Sequence, residues 1–181
     1  MIIVRTATLE DLEQAAASLA EAFDRDPMAR WIEPEPAARV AGMRGLFEHR
    51  LRVAMEQGAT VLVTDDLGAA AVWLPPGMSA EAGPPPEARS DVVEAHAAMN
   101  AAHPIRPHWY LEWLGSREGG AGRGSALMNH MLSITDAAGM PTALWSGGEG
   151  NLDFYGRQGY AVLERIDFEG ASGWWLWRDA G

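Results

Sequence analysis

Apolar and polar positions along this chain recur with two periods, about 3.6 residues in some stretches and two in others. Residues 2–5 read as a short strand. From Thr8 a helix is predicted, with Leu12, Ala16, Leu19 and Phe23 as its apolar stripe and Asp11 placed as the acidic partner of a capping box. Asp24-Arg25-Asp26-Pro27 ends that helix, because proline cannot continue it. Trp31 then falls in a loop, equally suited to substrate contact and to packing. A second helix spans about 37–56, with Val40, Met43, Phe47, Leu51 and Ala54 inward and Arg39, Arg44, Arg50 and Arg52 on a solvated face. Stretches 59–64 and 69–74 pair as strands around Asp65-Asp66-Leu67-Gly68, and the second is apolar enough for a central strand. A Pro-, Gly- and Ala-rich loop (75–89) and a helix at 91–102 follow.

The second half centres on 109–138, where an aromatic strand passes through a glycine-rich turn into a helix. Leu127, Met131, Ile134 and Ala138 fall on one helical face. Gly139-Met140-Pro141 stops that helix and 142–146 reads as a strand. A short helix follows at 152–158, with Asn151 as its N-cap and Gly159 as its stop. Stretches 160–168 and 173–178 close the chain as an antiparallel pair. No internal repeat or linker interrupts the pattern, so residues 1–181 are expected to form a single α/β domain with a buried core.

Charge narrows the partners. With 14 Lys+Arg against 25 Asp+Glu the net charge is −11. That argues against nucleic acid and anionic membranes and mildly favours cationic substrates, although an acidic soluble surface alone accounts for it. With no cysteine there is neither a disulfide nor a thiol nucleophile. The start turns polar too early for a signal peptide, and no apolar run is long enough to span a membrane, so a cytoplasmic protein is expected. His96, His103 and His108 lie near one another in sequence but fit no common zinc spacing, so no metal is expected.

Candidate chemistry begins at Gly119, Gly120, Ala121, Gly122, Arg123, Gly124 and Ser125. A glycine turn opening a helix presents unpaired N–H groups and the positive end of the helix dipole, which suits a phosphate or pyrophosphate. A dinucleotide fold is disfavoured because no acid ends the next strand, and a Walker loop because no lysine precedes Ser125. A purely structural turn stays open on this local evidence.

A second stretch, NLDFYGRQGY at 151–160, changes that. Together with GGAGRGSAL at 119–127 it resembles the GNAT superfamily of acyl-CoA-dependent N-acyltransferases. That signature is Gln/Arg-x-x-Gly-x-Gly/Ala opening a helix, followed by Asn-x-x-x-Phe-Tyr-x-x-x-Gly-Phe or a close relative. The leading Gln/Arg is Gly119 here, and the connection after Leu114-Gly115-Ser116 is shorter than usual. Order and texture along the chain are similar to the subgroup that includes puromycin N-acetyltransferase.

The resemblance implies a mixed, mostly antiparallel sheet of about seven strands flanked by helices, and transfer from acetyl-CoA to a primary amine of a small molecule, by a monomer or homodimer. It places the backbone of Leu114 and Ser116 against pantetheine and thioester, the 119–125 turn and Asn151 at the cofactor, and Tyr155 as general acid. Glu112, two residues before Leu114 and on the face of Tyr110, is the best candidate base; a solvent-facing glutamate without a role is the plain alternative. Trp113, Trp145, Trp174 and Trp175 are candidates for an aromatic acceptor pocket, although alternation sends the last two to opposite faces. A non-catalytic CoA-binding module and a protein-amine acetyltransferase are the competing functions.

Overall fold

The structure is a computed structural model that describes residues 1–79, 83–84, 86–117 and 122–181. Seven strands run β1 (Val4–Thr6), β2 (Thr60–Thr64), β3 (Ala69–Leu74), β4 (Trp109–Ser116), β5 (Thr142–Ser146), β6 (Ala161–Phe168) and β7 (Ala171–Arg178). They form one sheet in the order β1-β2-β3-β4-β5-β7-β6. Among the described residues only β4 and β5 pair in parallel. The expected sheet of about seven mostly antiparallel strands is therefore what the chain forms.

The period of two sorts the sheet into two cores. Val61, Val63, Ala70, Val72 and Leu74 face α1 (Leu12–Phe23), α3 (Pro36–Glu56) and the end of α4 (Ser90–Ala101). Leu62, Ala69, Ala71 and Trp73 face α5 (Arg123–Ala137) and α6 (Leu152–Arg157). A strand between two helical layers is apolar on both sides, and all six residues of β3 are buried. Trp174 and Trp175 go to opposite cores, as alternation requires.

Several local expectations change. Pro27 does not only stop α1; it also starts a further helix, α2 (Pro27–Ile32), with Asp26 as N-cap accepting from Ala29 N–H at 3.0 Å. Trp31 therefore lies in a helix and packs: its indole donates to Glu169 O at 3.0 Å and it stacks on Phe168. Arg39 is buried, not solvated, because its guanidinium reaches Asp24 at 2.7 Å and the carbonyl of Glu33. On α5 the buried stripe is Leu127, Met128, Met131, Leu132 and Thr135, while Ile134 is exposed. Asn151 ends a 3-10 turn before α6, and its side chain makes no cap hydrogen bond.

Two irregularities position the site. Along β3–β4 the register passes from Val72↔Trp113 to Trp73↔Leu111, so Glu112 is an extra, bulged residue. Along β4–β5 the ladder covers only Trp109–Leu111 against Thr142–Leu144. Beyond it the two strands part, although β4 runs on to Ser116 and β5 to Ser146.

Candidate active site

The parting strands open onto a cavity of about 920 Å³. One wall is β4 from Tyr110 to Ser116, the other is Trp145, Ser146 and Gly147, and Tyr155 of α6 closes the floor. From Glu112 onward the edge of β4 that faces β5 carries no strand partner. Its polar backbone must then be satisfied by water or a ligand. Leu114 and Ser116 lie on this open edge and line the cavity.

Tyr155 is 9% exposed and its hydroxyl has no hydrogen-bond partner among the described residues, so the cavity is what it addresses. Its ring is held edge-on by Phe154 at 5.1 Å and Tyr160 at 6.0 Å. Burial, with the charge of Asp26 nearby, pushes the phenol above its ordinary range, so it is protonated at neutral pH.

Glu112 points into the cavity from the bulge, on the side of Arg50 of α3. Burial pushes its carboxyl up to about 7, partly opposed by the positive charge of Arg50. It makes no ion pair or hydrogen bond with a described side chain. The bulge sets Glu112 and Trp113 on the same side of the sheet as Tyr110, whose phenol feels both Glu112 and Tyr155. Glu112 is half-buried on this wall. Trp113, Trp145 and Trp175 line the cavity, whereas Trp174 packs in the other core under Arg165. His103 sits at the rim among the rings of Trp175, Tyr110 and His108, and burial lowers its pKa.

The glycine turn is seen in part. Gly119, Gly120 and Ala121 lie outside the described residues. Gly122 precedes α5 with φ +84, the left-handed region in which a side chain is strained. Ala126 N–H makes the first intrahelical bond, to Gly122 O at 2.9 Å. The N–H groups of Arg123, Gly124 and Ser125 therefore precede the helical ladder and have no backbone acceptor among the described residues. The Arg123 side chain is committed elsewhere: its guanidinium holds Asp66 of the β2–β3 turn at 2.7 Å. This first turn stands beyond Ser116 and is not part of the cavity wall. Asn151 does line the cavity. Among the described residues no three His, Asp or Glu side chains gather as a metal site.

Asp26 is a cavity residue the sequence reading passed over as a helix stop. The Asp-Pro pair is as much an N-cap and first helical position as a terminator, and that signal was present.

Strands that pair, part at a bulge and leave a backbone edge open beside a buried tyrosine frame this cavity. No family model matches the chain. Among solved structures, it is 25% identical to the histone acetyltransferase HPA2-related acetyltransferase of Corynebacterium glutamicum, over 99% of this chain and 97% of that one, with a TM-score of 0.74. It is 13% identical to the PaiA N-acetyltransferase of Thermoplasma acidophilum, solved with coenzyme A, over 99% of both chains at a TM-score of 0.63. Identity is also 13% to the protein named arylalkylamine N-acetyltransferase 7 of Aedes aegypti, over 98% of this chain and 87% of that one, at 0.63. The fold is that of the GNAT acetyltransferases.

Proposed function

We propose that this chain is an N-acetyltransferase that moves the acetyl group of acetyl-CoA directly onto a primary amine of a small molecule. The observation that carries this is the three-residue β4–β5 ladder that ends at the Glu112 bulge and opens the cavity onto Tyr155. The residues fit the donor: a free β4 edge at Leu114 and Ser116 for its pantetheine arm, and free N–H groups at Arg123, Gly124 and Ser125 for its pyrophosphate. When bound, acetyl-CoA supplies the activated thioester. The likeness in texture to the puromycin N-acetyltransferase subgroup, and the amine acetyltransferases that share the fold, support a small-molecule amine acceptor. We expect a monomer or homodimer acting in the cytoplasm.

Amine attack needs a neutral nitrogen, and the departing thiolate needs a proton. Glu112, with its carboxyl near neutrality, takes one proton from the incoming ammonium, directly or through a water. The Tyr155 hydroxyl gives its proton to sulfur as the C–S bond breaks, and the second nitrogen proton returns to the phenol oxygen as the amide forms. The buried phenol of Tyr110 lies near both groups.

Calorimetric titration tests the donor half of this reading. Acetyl-CoA should bind with one site per chain, and CoA should compete. A protein that is folded and binds neither would refute the assignment.

A further inference from the structure

Asp26 stands between α1 and α2 and faces the cavity beside Tyr155. Two features fix it there. Its Oδ1 accepts the Ala29 N–H at 3.0 Å. The start of α2 also presses on the connection after β5: a Cβ at Gly147 would overlap the side chain of Met28 and lie 3.5 Å from Asp26 Oδ1. Asp26 is thus held at the open end of the splay, next to the phenol that serves the leaving group.

Capping α2 through the N–H groups of Ala29 and Met28 needs neither burial nor charge, since serine or asparagine caps equally well. What acts on this carboxylate is burial and the N–H groups of Ala29 and Met28, with no side-chain cation among them. Glu112, by contrast, feels Arg50. The two carboxylates also hold different stations, because the charge of Asp26 reaches Tyr155 and that of Glu112 reaches Tyr110. A half-buried carboxylate at a cavity wall, with no side-chain cation acting on it among the described residues, is costly unless a cation arrives. Around it the cavity carries the apolar and aromatic side chains of Phe23, Met28, Trp113 and Trp145, with Arg25 also on the lining.

We propose that Asp26 anchors the acceptor's ammonium group beside Tyr155, so that the pocket selects a cationic primary amine on an aromatic body over a neutral nucleophile of the same shape. This rests on the transferase reading above. Asp26 acts here as a binding and positioning residue, while Glu112 accepts the proton.

Asp26→Asn tests it, because an amide oxygen keeps the cap to Ala29 and only the charge is lost. The probes are 2-phenylethylamine, charged at neutral pH, and O-benzylhydroxylamine, neutral there and of the same chain length. The ratio of kcat/KM for the charged over the neutral probe should fall about tenfold or more, the scale of a charge-assisted hydrogen bond. Acetyl-CoA affinity should hold. An unchanged ratio overturns the assignment even if both rates fall, since a packing defect would lower them together. Turnover of no amine by the wild type would count against the transferase reading instead. Calorimetry of 2-phenylethylamine on the CoA-bound protein then decides Asp26: binding that Asp26→Asn loses supports it, and binding equal in both proteins, or absent in both, overturns it.

Discussion

At the scale of single residues, Tyr155 and Glu112 face one cavity with opposite proton demands, and each makes a separate prediction. Tyr155→Phe removes one hydroxyl and keeps the ring against Phe154 and Tyr160. Loss of a general acid should lower kcat about 100-fold or more with acetyl-CoA affinity held. A variant with wild-type turnover would take Tyr155 out of the chemistry. Glu112 must be ionised to accept a proton, so kcat/KM should rise with pH through about 7. Glu112→Gln should flatten that limb, with the largest deficit between about 7 and the pKa of the acceptor amine. Above that the amine arrives neutral and the deficit should close. The same shift has a consequence for stability. The folded carboxyl, raised from 4.5 to about 7, binds its proton more tightly than the unfolded one. Stability therefore falls as pH rises from about 4.5 to 7, by at most about 3 kcal/mol. Glu112→Gln should remove this slope, leaving the variant relatively more stable in urea melts at pH 8 than at pH 4; an identical pH slope in both proteins would show that Glu112 is solvated.

At the scale of elements, the site is made by irregularities in otherwise regular strands. β3 and β5 could be read in the sequence to the residue, since each is a short unbroken apolar run between turn signals. The Glu112 bulge could not, because register belongs to a pair of strands and not to either one. Likewise the face of α5 was misjudged at Ile134: a helix over a twisted central sheet buries a broader stripe, Thr135 included, whose hydroxyl bonds back to Leu132 O at 3.1 Å. Asp26 was visible only as a cap or a stop, because its place at the cavity depends on α2 docking against Gly147. The acceptor wall has its own requirement. Trp145 lies flat over Gly173, and a Cβ there would fall within the ring. Gly173→Ala should thus displace Trp145 and destabilise the fold by about 1–3 kcal/mol, as overpacking does. Denaturant melts check this, and an unchanged midpoint would mean the wall is loosely packed.

At the scale of the whole molecule, one compositional fact bears on the chemistry. All 14 basic residues are arginine, and the chain has neither lysine nor cysteine. Residues 1–181 therefore carry no side-chain primary amine. Prolonged exposure to acetyl-CoA should therefore leave every side-chain nitrogen of residues 1–181 unacetylated, which peptide mass mapping checks. The acidic surface, with 25 Asp+Glu, surrounds a cavity whose two carboxylates lack ion-pair partners among the described residues, so long-range and local charge both favour an incoming cation. Among the described residues no helix is long and apolar enough to cross a membrane.

The central claim is direct acetyl transfer to an amine between the parted strands. Two-substrate initial velocities test it most directly, with thiol release followed while acetyl-CoA and an amine are varied together. Arylalkylamines, aminonucleosides and polyamines form the panel, and the product is identified by mass spectrometry. Thiol release should depend on the amine, match the acetylamide formed one for one, and give intersecting double-reciprocal lines, because both substrates occupy the cavity together. A folded protein that binds acetyl-CoA yet releases no thiol with any amine of the panel, or parallel lines from an acetylated enzyme, would contradict the account.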